Sequence, residues 1–167
     1  MEKDNIILIG MPASGKSTVG VILAKIIGYQ FMDSDLVIQE QEGKKLHEII
    51  TESGVDGFIA LEEQINSKIE AEHTVIATGG SVIYGKLAME HFRRMGTIVY
   101  LQVGYEELMA RLHNISQRGV VVRQGQTMED LYRERTALYD QYADIVIHEK
   151  SDTPEQVIAE IISEMKI

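Results

Sequence analysis

The sequence predicts an α/β fold built on a mostly parallel sheet with helices on both faces. Two observations carry this. Short apolar, strand-like runs alternate with helix-period patterns along the whole chain, and that alternation is the pattern of βαβ units. Residues Gly10 to Ser17 read G-M-P-A-S-G-K-S, placed between the apolar run Ile6-Ile7-Leu8-Ile9 and a helical pattern. A strand that feeds a glycine-rich turn into a helix N-terminus is a phosphate cradle, and this one fits G-x-x-x-x-G-K-[ST].

The first strand is predicted over Asn5–Ile9. The helix after the cradle, Lys16–Ile27, carries Val19, Ile22, Leu23, Ile26 and Ile27 on one face. Further strands are expected at Gln30–Met32, Thr74–Ala77, Ile98–Leu101 and Ile145–His148. Helices are expected at Asp35–Gln41, Leu46–Glu52, Val55–Glu70, Lys86–Arg93, Tyr105–His113 and Met128–Tyr142. The last helix, Pro154–Lys166, has clear start chemistry: Thr153 caps, Pro154 fits the first turn and Gln156 completes a capping box. Its buried stripe is Val157, Ile158, Ile161, Ile162 and Met165. Asn114 to Gln126 breaks the alternation. It reads either as a slack surface loop or as a lid that closes over phosphates, and its two arginines favour the lid. In sheets of this kind ligands bind beyond the carboxyl ends of the strands.

At 167 residues the chain is expected to form a single domain, 1–167, with the lid at about 114–126. The formal net charge of −10 argues against a general nucleic-acid binder, and no apolar stretch approaches the length of a membrane span. With no cysteine, thiol nucleophiles, thiolate metal sites and disulfides are excluded. The charged start and the short apolar run after it do not form a signal sequence. A soluble, cytoplasmic monomer with a small-molecule partner, and neither nucleic-acid nor membrane partners, is the expectation. The histidines, His47, His73, His91, His113 and His148, show no metal-ligand spacing and read as surface or strand-edge residues.

Within the cradle, the backbone N–H groups around Ala13, Ser14, Gly15, Lys16, Ser17 and Thr18 are candidates to hold a nucleotide. Lys16 reaches the β- and γ-phosphates, and the Ser17 hydroxyl suits Mg²⁺. Asp33-Ser34-Asp35 follows the second strand. One carboxylate there suits the hydration shell of Mg²⁺, and the other suits the proton of a substrate hydroxyl; a plain helix cap is the alternative. Thr78-Gly79-Gly80-Ser81 follows the third strand, where two glycines let a ligand approach the backbone. Arg118 and Arg123 lie in the lid. A closing arginine stabilises the charge of a transferring phosphoryl group, and Arg118 is the candidate. Arg135 suits an anionic substrate group, with an intrahelical pair to Glu134 or Asp140 as the alternative.

Taken in order, these pieces resemble the shikimate kinase family across essentially the whole chain. The matching pieces are Gly10–Ser17, Asp33-Ser34-Asp35, Phe58 with Glu62, Gly79-Gly80, Arg118, and Arg135 with Tyr139 and Ala143-Asp144. The resemblance implies a three-layer α/β/α P-loop NTPase fold of the nucleoside-monophosphate-kinase type. It also implies a five-stranded parallel sheet, a mobile lid, and ATP with Mg²⁺ as phosphoryl donor. By position it assigns phosphate binding to Lys16, metal ligation to Ser17, the metal's water shell to Asp33, and substrate hydroxyl binding and activation to Asp35. It places Gly80 in the substrate pocket, Arg118 on the phosphates, Arg135 on the substrate carboxylate, and Arg111 and Pro154 around the adenine. No Asn-Lys-x-Asp guanine-reading sequence occurs.

Three departures bear on the acceptor. The family's Phe-Arg-x-x-Glu reads Phe58-Ile59-Ala60-Leu61-Glu62, so a carboxylate-binding arginine is replaced by Ile59. Losing one partner of a buried charged hydrogen bond costs on the order of 2–5 kcal/mol. The usual third glycine is Ser81, and the lid's Arg-Pro-Leu-Leu reads Arg118-Gly119-Val120-Val121. Another basic residue, such as Arg123 or Arg133, is a candidate to replace the lost charge. The expected activity is phosphoryl transfer from ATP to a hydroxyl of shikimate. A different hydroxylated acceptor, such as a sugar acid or polyol, is the alternative, and a non-catalytic nucleotide-binding protein is a further one.

Overall fold

A computed structural model describes residues 4–113, 120–150 and 153–167. Five parallel strands form one sheet in the order β2-β3-β1-β4-β5, with β1 Asn5–Ile9, β2 Gln30–Asp33, β3 Thr74–Ala77, β4 Gly96–Val103 and β5 Ile145–Glu149. The helices are α1 Lys16–Ile27, α2 Ser34–Glu42, α3 Leu46–Asn66, α4 Lys86–Met95, α5 Tyr105–His113, α6 Met128–Tyr142 and α7 Pro154–Met165. A 3₁₀ turn, Val82–Tyr84, follows β3.

The apolar run of β1 is continuous because both of its faces are covered. Ile6 and Leu8 pack with Val19 and Leu23 of α1 and with Val157, Ile158 and Ile161 of α7. Ile7 and Ile9 face the other way, against Met89 and Phe92 of α4, Leu108 of α5 and Tyr139 of α6. This alternation within one strand makes the three layers. A third cluster, Ile38, Ile49, Phe58 and Ile65 of α2 and α3, also buries Val121 from the C-terminal arm of the expected lid.

The element boundaries follow the sequence to within a few residues; β4, expected at Ile98–Leu101, extends two residues further at each end, to 8 residues. The two helices expected at Leu46–Glu52 and Val55–Glu70 are both present and meet without a loop at Gly54, whose backbone is non-helical (φ 71°, ψ 177°); the continuous span is labelled α3. It ends at Asn66 rather than Glu70. Ser67 N–H closes the last turn on Glu63 O at 2.9 Å, and Ile69 then drops into the core beneath the sheet.

The chain crosses from β1 to the β2–β3 side and returns to β4 on the other flank of β1. The switch point therefore lies beyond the carboxyl end of β1, where the glycine-rich turn begins.

Candidate active site

The turn from β1 into α1 is closed by Ser14 N–H on Met11 O at 3.1 Å. α1 starts at Gly15 with no side-chain cap and no acidic residue in its first turn, so its N–H groups suit an anion. Lys16 Nζ donates to Gly10 O and Met11 O, each at 2.8 Å, and to Ser14 Oγ at 3.3 Å. The ammonium is thus seated in the bend of the loop and only 7% exposed.

Ser17 Oγ donates to Asp33 Oδ2 at 3.2 Å, while Asp33 Oδ1 accepts from Asp35 N–H at 3.0 Å. The cap reading and the ligand reading of Asp33 hold together: one oxygen caps α2 and the other reaches the phosphate loop. A hydroxyl and a carboxylate side by side are hard oxygen donors of the kind Mg²⁺ takes alongside phosphate and water, so these residues fit that ion.

A cavity of about 510 Å³ runs from this loop over the sheet edge to α2 and α3. Ala13, Gly15, Lys16, Ser17 and Thr18, with Asp33 beside Ser17, form one end, and Asp35, Gly79, Gly80 and Arg135 form the other. Ser14 is buried behind the loop. Arg111 and Pro154 stand outside this cavity. Arg111 joins α5 to the loop and to β5, through Ala13 O at 3.4 Å and Glu149 Oε2 at 3.0 Å. Pro154 opens α7 in the capping box set by Thr153 and Gln156. Arg118, with the first half of the expected lid, lies outside the described residues.

Arg135 is 1% exposed and pairs with neither Glu134 nor Asp140. Its Nη2 donates to Val121 O at 2.8 Å, its guanidinium lies 5.6 Å from the Tyr84 ring centre, and its Nε has no partner among the described residues. A buried cation with an unused donor at a cavity wall suits an anionic ligand group. Tyr139 OH donates to Gly80 O and fixes the turn beside it.

The glycine pair is required by crowding. A Cβ at Gly80 would sit 2.7 Å from Pro12 Cδ and 2.9 Å from Arg135 Nη1. At Gly79 it would sit 2.6 Å from Asp35 Oδ1 and 2.8 Å from Glu62 Oε2. Gly80→Ala is expected to push Arg135 off its position and raise the acceptor KM roughly tenfold or more. Steady-state kinetics check this, and an acceptor KM within twofold of the parent would show that the wall yields.

Glu62 is a buried member of the site to which residue patterns alone assign no role. It is 1% exposed and accepts from Ser81 Oγ at 2.7 Å. Ser81 therefore turns its hydroxyl onto Glu62 as well as walling the pocket. Burial, reinforced by the Asp35 carboxylate, pushes the Glu62 carboxyl up to about 8, against the pull of the Ser81 hydrogen bond and Arg135. A carboxyl raised on folding holds its proton in the folded chain while the unfolded chain releases it. Its stabilising contribution is therefore complete below about pH 4.5 and is lost as pH rises to about 8. Urea midpoints from about pH 5 to 9 should fall more steeply for the parent than for Glu62→Gln; parallel curves would contradict the shift. Lys45, His47 and Phe58 also line the cavity. His47 remains exposed, as expected, yet borders the site.

A parallel sheet with a phosphate loop at its switch point and a carboxylate and arginine across one cavity define a P-loop small-molecule kinase. The sequence profile described as shikimate kinase matches residues 12–166. The shikimate kinase of Sulfurihydrogenibium sp. (strain YO3AOP1) is 34% identical over 163 residues, covering 97% of this chain and 98% of that protein. That of Clostridium botulinum (strain 657 / Type Ba4) is 37% identical over 156 residues, covering 89% and 91%. The structure of shikimate kinase from Acinetobacter baumannii in complex with shikimate superposes with a TM-score of 0.89 at 28% identity, covering 98% of this chain and 93% of that one. The chain belongs to the shikimate kinase family, whose members are phosphotransferases with an alcohol group as acceptor. No helix among the described residues is long and apolar enough to cross a membrane.

Proposed function

We propose that this chain transfers the γ-phosphoryl group of ATP to a hydroxyl of shikimate. The observation that carries the reading is the single cavity that joins Lys16 and Ser17 at one end to Asp35 and Arg135 at the other. The first pair suits a triphosphate and the second suits a hydroxylated anion.

In the proposed mechanism the N–H groups of residues 14–18 and the Lys16 ammonium hold the triphosphate. Arg135 orients the acceptor through its carboxylate, and Asp35 accepts the proton of the attacking hydroxyl. The hydroxyl oxygen bonds to the γ-phosphorus as the bond to the β,γ-bridging oxygen breaks, and ADP leaves. Ser17 and Asp33 are the residues that would hold Mg²⁺, which when bound neutralises phosphate charge. Arg118 is proposed to close over the phosphates and exclude water. Arg111 and Pro154 are proposed to flank the adenine. The whole chain is proposed to act as one cytoplasmic, monomeric kinase domain.

The test is steady-state ADP release with shikimate and ATP. Turnover that saturates in shikimate supports the proposal, and no turnover at millimolar shikimate ends it. Ile59 favours a second reading, a different hydroxylated acceptor, since its side chain neither carries charge nor lines the cavity. Sugar acids, polyols and hydroxy acids that stimulate ATP consumption more than shikimate does would select that reading.

A further inference from the structure

A second cation beside Arg135 would strengthen the hold on an anionic acceptor where Ile59 supplies none, and Arg123 and Arg133, the two candidates named from the sequence, are committed elsewhere. Arg123 Nη1 binds Asp56 Oδ1 at 2.7 Å on the surface of α3. Arg133 Nη2 binds Glu129 Oε1 at 3.3 Å within α6. Neither lines the cavity. Among the described residues the lysines and arginines that do are Lys16, Lys45 and Arg135. Lys16 belongs to the phosphate loop, which leaves Lys45.

Lys45 occupies the N-cap of α3, where a small hydroxyl or carboxylate side chain is the ordinary choice and a cation opposes the helix dipole. The cap is completed instead by Glu48, whose Oε2 accepts the Lys45 N–H at 2.8 Å. The Lys45 side chain is thereby left to the cavity it lines, beside Leu46 and His47. It forms no ion pair among the described residues, whereas its neighbour Lys44 is held by Glu52 at 2.5 Å. Of the carboxylates lining the same cavity, Asp33 is engaged at the phosphate-loop end, through Ser17 and the α2 cap, and Asp35 lies over Gly79.

We infer that Lys45 is a specificity-determining residue that binds the acceptor's carboxylate together with Arg135, supplying from the start of α3 the positive charge that Ile59 lacks. The inference rests on the reading of the acceptor as an anionic, hydroxylated small molecule. An exposed ammonium does this more weakly than a buried guanidinium fork.

The experiment uses the full chain and four variants: Lys45→Met, Lys45→Arg, Ile59→Arg, and the double variant K45M/I59R. K45M is expected to raise the shikimate KM roughly tenfold or more, with the ATP KM within twofold. K45R is expected to stay near the parent, I59R to bind shikimate more tightly than the parent, and K45M/I59R to regain most of the affinity that K45M loses. The parent's shikimate KM should also rise more steeply with added KCl than that of K45M. Circular dichroism melting confirms that each variant is folded. A K45M chain with unchanged shikimate KM, or one whose ATP KM moves instead, overturns the inference and leaves the kinase reading standing. A parent chain that neither binds shikimate by calorimetry nor phosphorylates it overturns the reading itself, and the inference with it.

Discussion

Lys16→Ala is expected to lower kcat by roughly 10²–10³-fold or more, the loss seen when one preorganised stabiliser of a developing charge is removed. The argument is geometric. Lys16 Nζ is held by two carbonyls of its own loop, Gly10 O and Met11 O at 2.8 Å each. With Ser14 Oγ as third acceptor, all three N–H groups of the ammonium are used by the loop, so binding a phosphate oxygen exchanges one of these bonds while the others keep the charge in the concavity. The same substitution leaves those two carbonyls without their donor in a buried setting, so a stability loss of about 1–3 kcal/mol accompanies it. The two effects separate experimentally. Lys16→Met, which retains most of the side-chain volume, should restore much of the melting temperature and none of the rate. A Lys16→Ala chain that turns over at the parent rate would remove the lysine from the mechanism.

Much of this site is legible in the order of residues because its chemistry is local. The phosphate loop needs one strand, one turn and one helix start, and all three adjoin in the sequence. Asp33 and Asp35 sit at the end of the next strand and the start of the next helix, so alternation alone puts them at the ligand edge. The central strands are legible for a related reason: runs buried on both faces are continuously apolar, as in Ile6-Ile7-Leu8-Ile9. What local pattern does not reveal depends on contacts far apart in the chain. Glu62 acquires its raised carboxyl only because Ser81, 19 residues on, and Asp35 pack against it. For Arg135 the sequence leaves an anion site and an intrahelical pair both open, and only the packing of α6, which buries it against Val121 and Tyr84, decides between them. Lys45 lies in a polar stretch between helices, and no periodicity marks it as facing a cavity. The pattern at Gly54 reads as a break between two helices, which the backbone there supports. That the helical hydrogen-bonding pattern resumes without a loop is not legible.

Asp35→Asn should abolish turnover, by roughly 10²–10⁴-fold, and leave ATP affinity within about twofold of the parent. The separation follows from where the two aspartates stand. Asp33 touches Ser17 Oγ at 3.2 Å and so belongs to the phosphate end of the cavity. Asp35 is two residues further on, in the first turn of α2, with its carboxylate over Gly79, where Glu62 also approaches. An asparagine keeps the shape and the N–H bond to Asp33 but cannot take a proton from the attacking hydroxyl. It also removes the negative charge that helps hold the Glu62 carboxyl up at about 8. The variant should therefore show a second, independent change. The stability loss that Glu62 imposes between about pH 4.5 and 8 should become smaller, because its folded carboxyl titrates lower. Calorimetric ATP binding, single-turnover transfer and urea midpoints across pH measure the three consequences separately. If Asp35→Asn instead destroys ATP binding, the carboxylate serving the acceptor has been assigned to the wrong residue. If transfer is lost while the pH dependence of stability is unchanged, Asp35 and Glu62 do not share a field, and burial alone raises Glu62.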